Sequence, residues 1–132
     1  VFRLNSFSRN TRTEIRKGKK IYFVDNGVRN AVLSHFAPLE LRNDVGVLWE
    51  NLMVSERVKR NAYHRSYAQL YFWRTHDQKE IDLVEDKDGR LAAFEFKWNE
   101  RQKARMPASF VQNYPNSDFN VITKDNFWPF LS

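Results

Sequence analysis

Two carboxylates and an ammonium group fall at a spacing that suits a cation and a phosphodiester. Asp82 lies on one short β-arm, and Glu95 and Lys97 lie on a second, after a polar turn at Asp86-Lys87-Asp88-Gly89. Strand side chains alternate with a period of two. Ile81 and Leu83 therefore share one parity and Asp82 takes the other; Ala92, Phe94, Phe96 and Trp98 share one parity while Glu95 and Lys97 take the other. Each arm is expected to have a greasy face and a charged face. Pairing of the arms as a hairpin then brings Asp82 beside Glu95 and Lys97.

Hard divalent cations such as Mg²⁺ or Mn²⁺ take oxygen ligands, commonly one or two carboxylates with water and substrate phosphate. Asp82 and Glu95 supply two such oxygens, and the backbone carbonyl of Phe96 is a third candidate. Glu50 interrupts an apolar stripe between Val47 and Val54 on a helical pattern. A carboxylate in such surroundings needs a cation, a hydrogen-bonding partner or a route to solvent, so Glu50 is the candidate fourth donor. Lys97 would steady an attacking water or the charge developing on phosphate. These are parts for hydrolysis of a nucleic-acid backbone. The same spacing also describes an ordinary half-exposed sheet whose Asp82, Glu95 and Lys97 are solvated charge.

The elements that must position these residues follow from periodicity. A short strand is expected near residues 2–7 and another over 20–24, KIYFV. A helix capped by Asp25 or Asn26 is expected to reach about Ser34, with a loop around Pro38. Residues 44–59 carry Val45, Leu48, Trp49, Leu52 and Met53 at helical spacing, with Asn43 or Asp44 as cap, and the second stripe of Val47, Val54 and Val58 implies a largely buried helix. Strands follow at 67–74 and on the two arms. Pro107 opens a helix to about Tyr114, 119–123 is a last core strand, and 127–131 is an aromatic tail packed back on the domain. The expected class is α/β (α+β), with the order helix, three strands, helix, strand. The three strands form an antiparallel meander, and the last strand aligns parallel through its crossover.

Composition bounds the rest. The 132 residues, 42% hydrophobic and 15% aromatic, suit one domain with a real core. There is no cysteine, so disulfides and thiolate metal sites are excluded, and no apolar run is long enough to span a bilayer as a helix. A cytoplasmic protein is expected. Residues 1–20 hold seven Lys/Arg against one acid, Glu14, and the remainder holds 15 of each sign, so the surplus of +6 belongs to this stretch alone. Residues 1–18 read as a basic lead-in, either a solvated connector or a contact to phosphates through Arg9, Arg12 and Arg16, with residues 19–132 as the domain proper. Arg74, beside Trp73, is a further candidate phosphate contact, although a core Trp with a rim Arg is the simpler account. His35, His64 and His76 lack metal-ligand spacing. No glycine lies in a phosphate-loop pattern.

Four segments, KKIYFVDNGVRNAV at 19–32, GVLWENLMVSERVK at 46–59, LYFWRTHDQKEIDLVE at 70–85 and LAAFEFKW at 91–98, together with FVQNYPNSDFNVIT at 110–123, resemble a widespread bacterial and archaeal domain of unknown function. In that family the domain is C-terminal to an AAA+-type ATPase and a winged-helix segment. The resemblance implies a restriction-endonuclease-like PD-(D/E)XK core, with a mixed sheet flanked by helices. It puts the superfamily's helix glutamate on Glu50, its aspartate on Asp82 and its (D/E)-x-K on Glu95 and Lys97. Gln112 is the candidate for a glutamine on the later helix. The four-residue set, taken with the order of the motifs, leads to the expectation of metal-dependent cleavage or binding of DNA, with RNA as the alternative substrate, and of Mg²⁺ or Mn²⁺ at Asp82, Glu95, Phe96 and Glu50. The alternatives are a catalytically silent regulatory or interaction module of the ATPase, and a self-associating structural domain.

Overall fold

The computed structural model describes residues 2–9, 13–15, 17–23, 45–99 and 104–132. The helix expected as far as Ser34, the loop at Pro38 and the cap at Asn43 or Asp44 lie outside them. The elements are β1 (Phe2–Ser6), β2 (Lys19–Tyr22), α1 (Val45–Tyr63), β3 (Gln69–Arg74), β4 (Glu80–Lys87), β5 (Arg90–Phe96), α2 (Ala108–Asn113), β6 (Asp118–Ile122) and α3 (Phe127–Leu131). They build one six-stranded mixed sheet in the order β2-β1-β3-β4-β5-β6. The short connections make β3, β4 and β5 antiparallel, and the crossover through α2 makes β6 parallel to β5. β1 pairs antiparallel with β2 and parallel with β3.

α1 runs four residues past the expected end at Lys59. No glycine marks its stop; Arg65 takes the left-handed conformation (φ 52°) instead, and the Ser66 N–H donates to the Asn61 carbonyl at 2.8 Å, closing the last turn. The β4–β5 turn follows its sequence: Asp88 (φ 55°) and Gly89 (φ 84°) supply the positive φ pair that a two-residue hairpin loop requires.

Both faces of the sheet are covered. α1 and α3 bury Leu83, Phe94, Phe96 and Ile122 on one side, through Leu52, Met53 and Phe130. On the other side Phe110 and Tyr114, at the α2 segment, cover Trp73, Ile81 and Ala93. The expected greasy and charged faces are therefore replaced by two apolar layers. The parity of β4 also breaks. Tyr71 pairs with Val84 but Trp73 pairs with Ile81, so β4 carries an extra residue between Ile81 and Val84. This bulge puts Ile81 in the layer opposite Leu83, although simple alternation assigns them one face. α1 is also less buried around its girth than its stripes imply, with Val54 fully buried and Val47 71% exposed.

The stretch read as a lead-in is stitched into this frame. β1 sits inside the sheet, and Leu4 and Phe7 are buried. Glu14, 1% exposed, accepts hydrogen bonds from the Trp73 indole, the Tyr114 hydroxyl at 2.8 Å and the Arg9 N–H at 3.0 Å. Gly18 passes so close to the Phe72 ring that an added Cβ would lie 2.7 Å from its Cζ. Phe72 is itself buried and cannot swing away. Gly18→Ala is accordingly expected to cost about 1–3 kcal/mol by overpacking, read as a lower denaturation midpoint at unchanged slope. Among the described residues, no helix is long and apolar enough to cross a membrane.

Candidate functional site

Glu50 is held in place by its neighbours on α1. The Trp49 indole N–H donates to the Ile122 carbonyl at 3.2 Å. The Asn51 side chain accepts from the Phe23 N–H at 2.9 Å and donates to the Phe23 carbonyl at 3.0 Å. These anchors on either side fix the rotation of the helix, so that the Glu50 carboxylate faces β2. There Glu50 Oε2 accepts hydrogen bonds from the Tyr22 hydroxyl and from Lys20 Nζ at 3.3 Å.

Asp82 sits at the β4 bulge. The β4–β5 ladder runs as far as Leu83 opposite Phe94. Beyond that pair, side chains take over from the ladder. The Asp82 N–H donates to Glu95 Oε1 at 2.9 Å, and the Phe96 N–H donates to Asp82 Oδ2 at 2.9 Å. The two backbone donors are satisfied by carboxylates reaching across, and this clasp brings Asp82 and Glu95 side by side. Asp82 Oδ1 lies 4.0 Å from Lys20 Nζ. Lys97 follows β5 and donates its N–H to the Ile122 carbonyl at 3.0 Å. Its ammonium is near enough to draw the Glu95 pKa downward.

The electrostatics are those of crowded, poorly hydrated acids. Burial, then the charges of Glu50 and Glu95, push Asp82 up to about 8 against the opposing pull of the Phe96 N–H and Lys20. Glu95 is also raised, chiefly by burial, while the Asp82 N–H and the Lys97 charge oppose that rise. Tyr22 is raised by burial and by the Glu50 carboxylate it touches. Near neutral pH the Asp82–Glu95 pair therefore retains a proton, as adjacent carboxylates do when no cation serves both.

The sequence-predicted set is thus brought together in large part. Glu50 and Asp82 share Lys20, Asp82 and Glu95 share the clasp, and the charge of Lys97 reaches Glu95. Phe96 takes part through its N–H. Of the arginines, Arg9 is placed elsewhere, whereas the Arg74 guanidinium lies 5.4 Å from the Phe72 ring that Lys20 also approaches. The Arg9 guanidinium lies 3.7 Å from Asp86 and 5.2 Å from the Phe7 ring, in the layer opposite α1. Arg74 is paired with Glu80 at 2.6 Å. Arg12 and Arg16 fall outside the described residues, as does His35, while His64, His76 and Gln112 are exposed.

Sequence reasoning missed Lys20 and Tyr22. The signal was present: the two residues share a parity on β2, and they turn inward while Ile21 and Phe23 are 64% and 54% exposed. A reading by apolar content chooses the opposite face. The donors suit a hard divalent ion in type, being clustered carboxylate oxygens. In the arrangement seen, with the Lys20 ammonium between Glu50 and Asp82, no group of three or more His, Cys, Asp or Glu among the described residues converges as a ligand set.

Residues 45–128 match the model of a family described as a domain of unknown function, DUF4143. No curated protein and no solved structure matches the chain.

Proposed function

We propose that this chain, which belongs to the DUF4143 family, is a nuclease-like domain of the PD-(D/E)XK type that acts on DNA with a divalent ion. The observation that carries this reading is the clasp of Asp82 and Glu95 across two parted strands, with Glu50 of α1 joined to it through Lys20. Asp82, Glu95 and Glu50, with the Phe96 carbonyl, would hold Mg²⁺ or Mn²⁺. A divalent ion bound there supplies Lewis-acid polarisation of a phosphodiester and a water acidified toward neutral pH. Lys97, beside Glu95, would hold the attacking water or the phosphate oxygen that gains charge. The reciprocal hydrogen bonds fix both carboxylates before substrate arrives, which avoids reorganisation during the reaction. The resemblance of the sequence to C-terminal domains of AAA+-type ATPases supports a partner in the ATPase and winged-helix parts of such a polypeptide.

The test compares divalent-ion calorimetry and the cleavage of single- and double-stranded DNA between the parent and Asp82→Ala. The parent is expected to take up Mn²⁺ and to nick DNA, and the variant to lose uptake and to cut about a hundredfold more slowly or less. Absence of both in the parent removes the reading. A second reading, a regulatory or DNA-holding module without catalysis, is favoured by one observation. The acids already have a cation of their own in Lys20. It requires DNA affinity that is indifferent to metal, survives Asp82→Ala, and falls when Arg9, Arg12 and Arg16 are neutralised.

A further inference from the structure

We infer that Lys20 is the resident cation of the acidic cluster, and that a divalent ion enters only by displacing its ammonium. The inference rests on the metal-site reading above and adds how that site is controlled. Lys20 Nζ is the group that touches both sides of the cluster, at 3.3 Å from Glu50 Oε2 and 4.0 Å from Asp82 Oδ1. Its charge also lies 5.6 Å from the centroid of the Phe72 ring, so the ammonium is held from below as well. Its backbone is fixed by the pairing of Lys20 with Leu4, and its side chain is 21% exposed.

Competition follows from charge and space. Three carboxyl groups, Glu50, Asp82 and Glu95, already feel two ammonium charges, Lys20 in contact with Glu50 and Asp82 and Lys97 acting on Glu95. A divalent ion shared by Asp82 and Glu50 would lie within a few ångströms of Lys20 Nζ, where like charges repel by several kcal/mol at the dielectric of a partly buried site. The metal cannot be shared with the lysine, but the lysine can leave. Its four-carbon stem is flexible, and its partial exposure gives the ammonium a path to water. Lys97 is different in that its charge acts on Glu95, whereas the Lys20 ammonium is the one in contact with Glu50 and Asp82.

The experiment titrates Mn²⁺ into the parent and into Lys20→Met at mildly alkaline pH by calorimetry, and follows the Lys20 ε-methylene resonance of the parent in a parallel titration with Mg²⁺. Lys20→Met keeps the stem and removes the charge. It is expected to bind Mn²⁺ at least about tenfold more tightly. In the parent, diamagnetic Mg²⁺ is expected to shift the Lys20 resonance to its solvent-exposed position in step with occupancy. Parent binding with equal or weaker affinity in Lys20→Met, or with an unmoved Lys20 resonance, overturns the inference and leaves the metal site standing. Absence of ion uptake in both proteins overturns the metal-site reading and the inference with it. Should Lys20→Met fail to fold, the parent's resonance decides alone.

Discussion

Asp82→Asn is expected to make the folded chain more stable by about 2 kcal/mol at alkaline pH and to change little in acid. The Asp82 carboxyl is raised from an ordinary 3.8 to about 8 by burial and by the neighbouring charges of Glu50 and Glu95. The folded state therefore holds this proton more tightly than the unfolded chain does. As pH climbs from the unfolded value through about 8, the unfolded chain releases its proton first, and the folded state loses stability throughout that window. Each pKa unit is worth about 1.4 kcal/mol, which sets a ceiling on the order of 6 kcal/mol. Asn forgoes the attraction of Lys20, and this brings the expected gain down to about 2. Its amide oxygen still accepts from the Phe96 N–H. Denaturant unfolding of both proteins across the window checks the claim: the parent's curve should fall with rising pH and the variant's should be flatter. A parent that gains stability across the window contradicts it. Loss of function with gain of stability is the pattern expected where a site is built for chemistry and not for the fold.

Glu85→Ala is expected to do the reverse, costing about 3–5 kcal/mol. The Arg57 Nε–Glu85 Oε2 and Nη2–Oε1 contacts are 2.9 and 3.2 Å, a two-point pairing between α1 and β4 whose side chains are 12% and 9% exposed. Arg57 also donates to the Phe130 carbonyl and lies 4.6 Å from the Phe130 ring, so one side chain ties α1 to β4 and α3. Removing Glu85 leaves a buried guanidinium without its counter-ion. Replacing the pair together, as Arg57→Met with Glu85→Leu, should recover most of the loss, because the desolvation penalty goes with the charges. Thermal and urea unfolding of the single and double variants measure this. A single-variant loss below about 1 kcal/mol would mean that solvent reaches the pair.

These two acids on one strand show what was legible in the sequence. The order of elements from α1 to β6 could be read because period-two and period-3.6 patterns are local, and the Asp-Gly turn has its own chemistry. Glu50, Asp82, Glu95 and Lys97 could be singled out for the same reason: an acid on an apolar stripe and charges at alternate positions stand out locally. The β4 bulge could not, since no glycine or proline lies between Ile81 and Val84 to mark it. It decides which layer Ile81 joins, and that follows from pairing with β3. Nor could the partners of Glu85 and Glu14 be read. Arg57 and Trp73 lie far along the chain from them, and a lone acid in a basic run reads as surface until Trp73 and Tyr114 are placed over it.

The parallel alignment of β1 with β3, in which Asn5 lies opposite Tyr71, has a kinetic corollary. The β3–β4–β5 meander closes only short loops, whereas docking β1 requires closing the whole intervening chain, at an entropic penalty larger by about 2 kcal/mol before any contact rewards it. The meander should therefore nucleate first and the β1–β2 hairpin arrive late. Asp82 and Glu95 would be clasped early in folding, while Lys20 and Tyr22 would reach them only at the final step. A refolding chain would pass through a species whose acids are bare, and hydrogen exchange pulsed during refolding should find β4 and β5 protected ahead of β2.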